Sequence, residues 1–221
     1  MHGERCIAGL RTDTGEWIRP VSQTEHGELT YLQRNLGAAG EPRDFDVIRI
    51  GFANPWPTSS QPENWRIDGT GWQLVRRPAS PDLHTLLSRA IYSGTHLFGT
   101  LSDRVSAATF LEEHATESLA LVKPENPRWQ VTSYGKARVL FTTSGDTYNL
   151  AVTDPLFDNQ ITQLGKGFHR STELGIEDED RMLFTISLGK PFDPLGEPFQ
   201  QDCYKLVATV LILPLAWPKI T

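Results

Sequence analysis

The chain has little that would support redox, metal or membrane chemistry. It holds two cysteines, Cys6 and Cys203. That is too few for a disulfide framework or a zinc site. Both lie in short apolar runs, so both are expected to be buried, reduced and free of metal. The six histidines, at 2, 26, 84, 96, 114 and 169, are scattered, and none stands at ligand spacing from another His or a Cys. No apolar run reaches bilayer length, and the longest, Leu206 to Leu215, reads as a buried strand. Met1–Arg5 does not read as a signal peptide. The expectation is a cytoplasmic protein with no membrane association.

Positive charge is also scarce. The formal net charge is −6, and no block is basic: residues 1–80 carry nine Arg against ten acids, and residues 118–221 ten basic residues against twelve acids. Binding to duplex DNA by bulk charge is therefore disfavoured, because phosphate contacts dominate such affinity. A local groove is not excluded. No lysine precedes Lys123, so every cation of the first half is Arg. Arg suits planar stacking and bidentate phosphate contact, although an Arg-rich genomic composition explains the bias equally well.

What the chain does have is turns and aromatics. Eighteen Gly, fifteen Pro, six Trp and ten Phe in 221 residues fit β-structure with real cores and argue against disorder. One pattern occurs twice. Arg5-Cys6-Ile7-Ala8-Gly9-Leu10-Arg11 leads through Thr12–Gly15 into Glu16-Trp17-Ile18-Arg19-Pro20-Val21. Arg138–Thr143 leads through Ser144–Thr147 into Tyr148–Thr153. Each is an apolar run, a turn rich in Gly, Asp, Ser and Thr, and an aromatic-led run, which is the signature of a β-hairpin. Two such hairpins far apart indicate two small β-domains of one type.

Between them the period changes. Ser80 and Pro81 can open a helix carrying Leu83, Leu86, Leu87, Ala90 and Ile91. Ser102 can cap a second helix running to Leu111. The organisation read from the sequence is a β-region over 1–80, a helical connector over 81–117 and a second β-region over 118–221. In the latter, Met182, Phe184, Ile186 and Leu188 alternate as on a half-buried strand. The run Cys203–Leu213 is apolar on both faces, as on a covered strand.

Several stretches resemble bacterial proteins described as dual-OB-domain proteins. They are Arg5-Cys6-Ile7-Ala8-Gly9 with Gly15–Ser22, Gln61–Asp68, Tyr148–Asp154, and Gly196–Phe199 with Cys203-Tyr204-Lys205-Leu206-Val207-Ala208. Together they span nearly the whole chain. The resemblance implies a mostly β fold with a short helical connector and two OB-like small β-barrels in tandem, and a nucleic-acid-binding role inferred from fold. It brings no catalytic residues and no cofactor. Relatives carry a further apolar strand before the Arg-Cys-Ile-Ala-Gly stretch, where only Met1–Glu4 stand here. Either the first barrel lacks its opening strand or the start is internal to the natural gene product.

OB-folds hold single strands with a positive groove and aromatic stacking faces. The candidates in the first half are Arg11, Trp17, Arg19, Arg49 and Arg76. A core role for Trp17 outweighs a ligand role, and Arg19 is expected to be more open. In the second half they are Tyr134, Lys136, Arg138, Lys166, His169 and Arg170, the last three in a Gly-rich segment read as a mobile loop. Cations on strands are expected to contribute more binding energy than those on that loop. A metal-dependent nuclease site at Asp154 and Asp158 is the weaker reading, since Thr153-Asp154-Pro155 is an ordinary strand-ending turn. The leading functional expectation is a non-enzymatic module for single-stranded DNA or RNA. The alternative is a subunit that docks a partner protein, favoured by the acidic balance and the apolar tail Pro214–Pro218.

Overall fold

The structure is a computed structural model that describes residues 6–24, 27–77, 81–108, 117–192 and 201–220. The first half contains β1 (Gly9–Leu10), β2 (Trp17–Val21), α1 (Tyr31–Arg34), β3 (Val47–Arg49), β4 (Phe52–Pro55), β5 (Asn64–Ile67) and β6 (Gln73–Arg76). Then come α2 (Pro81–Ala90) and β7 (Arg104–Ser106). The second half holds β8 (Leu119–Val122), β9 (Glu125–Val131), β10 (Ala137–Thr143), β11 (Asp146–Val152), α3 (Pro155–Gln163), β12 (Gly167–His169), β13 (Met182–Leu188) and β14 (Asp202–Ile212). No helix among the described residues is long and apolar enough to cross a membrane.

Both hairpins form. β1 pairs antiparallel with β2, placing Leu10 opposite Trp17. β10 pairs with β11 from Arg138↔Ala151 to Thr143↔Asp146. The second turn has two residues, Ser144 at φ 51° and Gly145 at φ 83°. Two left-handed positions in a row match the twist of the flanking strands, and glycine takes the second without strain. The likeness of the halves extends past the hairpins. In each, the second hairpin strand runs parallel to a later strand: β2 beside β5, and β11 beside β14.

The first sheet has the order β1-β2-β5-β4, with β3 and β6 forming a separate ladder. The second has the order β12-β9-β10-β11-β14-β13-β8, with β7 added to β14. These ladders are open sheets, so the expected OB-like units are mostly β but are not closed barrels. In the second sheet the opening is narrow in chain terms. β8 pairs with β13 and β9 with β10, yet β8 and β9 are consecutive, turned at Lys123-Pro124. Proline has no amide to continue the ladder, so the segment bends there and divides its pairing between the two ends of the sheet.

The larger core lies inside this wrapped sheet. Trp129, Phe141, Tyr148 and Phe184 are fully buried, with Phe141 and Phe184 edge to face at 5.2 Å. α3 lies against this core, stacking Phe157 on Trp129. Asp154 is the helix cap: one carboxylate oxygen accepts from the amides of Leu156 and Phe157, and the other from Val210. Both carboxylate oxygens are thus engaged by backbone amides as a structural cap. A smaller core in the first half gathers Leu29, Leu36, Ile67 and Trp72.

The halves meet over α2. Leu83 packs with Leu121, Leu183, Leu213, Trp217 and Ile220, and half-buried Trp17 lies against them. Trp17 is thus a core residue. Trp217 and Ile220 of the tail are buried here, while Leu215 remains 84% exposed. The second expected helix starts later than Ser102, for Ala107 and Ala108 are its first helical residues. Arg104–Ser106 is extended and pairs with Asp202–Tyr204, so the backbone bonds go to β14 instead of a helical turn. Residues 109–111 of that expectation lie outside the described residues. Cys203 is buried but Cys6 is exposed, because it precedes β1 instead of lying in it.

Candidate functional site

In β9, Trp129 and Val131 point into the core, so Arg128 and Gln130 face outward. β10 alternates likewise, burying Ala137, Val139 and Phe141 and turning Arg138, Leu140 and Thr142 out. The registers put Leu140 opposite Arg128 and Arg138 opposite Gln130. The Gly-rich segment expected to be a loop is partly a strand: β12 pairs with β9, with Phe168 opposite Gln130. Phe168, Gln130 and Arg138 therefore form one row across three strands.

The end of that row carries an aromatic turn. Between β9 and β10 the amide of Thr132 donates to the carbonyl of Lys136 at 2.9 Å, and Gly135 closes the turn at φ 71°. Tyr134 at its tip is 88% exposed. Gly167 pairs with Val131, so Lys166 stands beside the end of β9 that opens into this turn. Phe168 is 53% exposed. Among the described residues, Arg128, Lys136 and Lys166 make no ion pair. The surface thus holds two open aromatic rings and three free cations on a short stretch of sheet.

Two other second-half candidates, Arg138 and His169, are held by protein groups. Arg138 donates through Nε to the Asn149 side chain at 2.9 Å and through Nη2 to the Asn149 carbonyl and, at 3.4 Å, to Asp103. His169 places Nε2 2.9 Å from the Gly165 carbonyl and Nδ1 3.1 Å from Glu173. Both partners are acceptors, and the hydrogen bonds to the Gly165 carbonyl, then to Glu173, raise its pKa. Arg170 donates its amide to Glu173.

The first-half candidates are not brought together. Arg11 bonds Asp13 at 2.8 Å beside its own turn. Arg49 and Arg76 lie exposed on the β3–β6 ladder. Arg19, expected to be open, is buried at the junction. It pairs with Glu63 at 2.8 Å and donates to Ser118 and, at 3.4 Å, to Ser187. Sequence reasoning passed over Arg128 and Gln130, although the alternation with Trp129 and Val131 carries the signal. Among the described residues no three His, Cys, Asp or Glu side chains converge as metal ligands. The acidic run is partly neutralised: Lys219 bonds Asp178 and Asp180 at 2.9 and 3.0 Å.

The family comparison agrees with this architecture. Residues 1–210 match the family described as the dual OB-containing domain, and the chain belongs to that family. No curated protein and no solved structure matches it. An OB-fold is a five-stranded, partly open Greek-key barrel, and its ligand face lies on strands 2 and 3, flanked by the loops after strands 1 and 4. In the second half the bent β8–β9 segment, β10, β11, β13 and β14 supply those five strands. The Tyr134 turn is then the loop after strand 1. The protein is an OB-type binding module, and the Tyr134 and Arg138 surface lies on its customary ligand side.

Proposed function

We propose that the protein is a non-enzymatic module that binds single-stranded nucleic acid on the outer face of β9, β10 and β12. The observation that supports this most is the placing of exposed Tyr134 and Phe168 among the free cations Arg128, Lys136 and Lys166. A base stacked on an aromatic ring contributes about 1–3 kcal/mol by alanine substitution, whatever its identity. Cations beside the rings take the phosphates and release counterions. A chain of net charge −6 repels a polyanion at long range, so attraction here is local and depends on both ring and cation. A duplex keeps its bases stacked on one another and cannot offer their faces to Tyr134 and Phe168.

The test is an anisotropy titration with labelled oligothymidylate and oligouridylate, with a duplex as control. Binding of single strands that is weakened by Tyr134→Ala and Phe168→Ala supports the reading. Equal binding of duplex and single strand, or none of either, overturns it.

A further inference from the structure

The outer face of the second sheet carries a carboxylate among its cations, delivered by the connector. Lys205 donates its amide to the Asp103 carbonyl at 2.8 Å, and the Val207 carbonyl accepts from Thr153 at 2.9 Å. Backbone groups two residues apart on a strand turn to the same side, so β7 and β11 share one edge of β14. The segment leading into β7 is thereby inserted beside β11. Asp103 arrives next to Arg138.

The geometry there is that of an anion held between two guanidinium groups. Asp103 Oδ1 accepts from Arg104 Nε at 2.9 Å, and Oδ2 accepts from Arg138 Nη2 at 3.4 Å. Asn149 fixes Arg138 over β11 from the other side. Arg104 lies 4.5 Å from the centre of the Tyr204 ring and donates to its hydroxyl at 2.9 Å, and it also pairs with a second carboxylate, Asp202, at 3.6 Å. Neither arginine is free to swing away, yet the three charged side chains keep 27–42% of their surface in water. An ion pair this open is weak and exchangeable.

We propose that Asp103 is an internal surrogate for a phosphate: a phosphodiester of the bound single strand displaces its carboxylate from between Arg138 and Arg104. This rests on the function proposed above and adds a phosphate subsite with a built-in competitor. Guanidinium groups take carboxylate and phosphate in the same planar fashion, so the two anions compete for the same donors. The subsite continues the Phe168–Gln130–Arg138 row. Beyond it lie Tyr204 and exposed Phe192, with ring centres 6.4 Å apart. The connector thus lowers the affinity of the face it borders, and a ligand without a phosphate gains nothing from the two arginines.

Asp103→Asn keeps the shape and removes the charge. Titrated with labelled oligothymidylate at low salt, this variant is expected to bind about two- to fivefold tighter than the parent, the range set by an exposed ion pair. The gain should vanish in an Arg138→Ala background. A second readout uses the parent alone: the Arg104 Nε–H resonance should shift when oligothymidylate is added. If Phe168→Ala weakens binding while Asp103→Asn gains nothing and the Arg104 resonance stays fixed, the face binds nucleic acid but Asp103 is no competitor. If neither the parent nor Asp103→Asn binds, the proposed function falls, and this inference with it.

Discussion

The Arg19 guanidinium lies 2.8 Å from the Glu63 carboxylate where the two halves of the chain meet, and both side chains are buried. Ser118 donates to the same carboxylate through its hydroxyl at 2.5 Å. Burial pushes the Arg19 pKa down and Glu63 pulls it back. A buried pair of this kind is costly to break from one side, because the remaining charge is left without a partner. Glu63→Ala is expected to lower stability by about 3–5 kcal/mol. Replacing both residues with apolar side chains of similar volume should recover much of that loss. Denaturant unfolding of the two variants checks this, and neither should change single-strand binding measured on folded protein.

Lys205 gives a pH dependence of unusual sign. Its side chain is 1% exposed, with Nζ donating to the Thr100 carbonyl at 2.6 Å and the Thr100 hydroxyl at 2.9 Å. Burial, only partly opposed by Asp103 and Asp146, lowers its pKa to about 8. Between that value and the ordinary lysine value near 10.4, the unfolded chain binds more protons than the folded one. Stability therefore gains from this group as pH rises through that window. Lys205→Met should lose that gain while keeping the fold. Thermal melts of parent and variant at pH 8 and pH 10 compare the two directly.

The thiols should separate cleanly. Cys6 is exposed, whereas Cys203 is buried and its pKa is raised by burial. A thiol reagent added to native protein should label Cys6 quickly and Cys203 only on unfolding. Mass spectrometry after a short exposure reads this, and rapid double labelling would contradict it.

Tyr134 and Phe168 project into solvent, so truncating them should leave the melting temperature unchanged while costing about 1–3 kcal/mol each in single-strand affinity. Arg49→Ala, on a separate ladder, should bind like the parent. Isothermal titration of the three variants discriminates between this face and the first half of the chain.

The hairpins were legible because their turns demand particular residues: Ser144-Gly145 can take two left-handed positions, and the runs on each side alternate. The helix over Pro81–Ala90 was legible from its apolar spacing. The fate of Arg19 was not. Its burial depends on Glu63, Ser118 and Ser187, which only the tertiary fold brings to it, so its local pattern of a cation between apolar neighbours looked like an open strand face. Because Arg19 is buried in an ion pair with Glu63, it is not an open strand cation of the kind expected to contribute most to binding. β12 was missed because a three-residue edge strand that opens on a glycine has no periodicity of its own and exists only by pairing with β9. Tyr134, Lys136, Arg138 and Lys166 could be picked out from the sequence as candidates, and the structure leaves Tyr134, Lys136 and Lys166 exposed. What the sequence did not reveal was the register that sets them around Arg128, Gln130 and Phe168.

The most direct test of the account is the salt dependence of single-strand affinity. For single strands the slope of log K against log salt is about −0.7 per phosphate neutralised. With Arg128, Lys136 and Lys166 each taking one phosphate, oligothymidylate binding by the parent should show a slope near −2, steepened toward about −3 by a phosphate at the Arg138–Arg104 subsite. Lys136→Ala should reduce its magnitude by about 0.7. A slope near zero, or one that Lys136→Ala leaves unchanged, would contradict the assignment of this face as the nucleic-acid site.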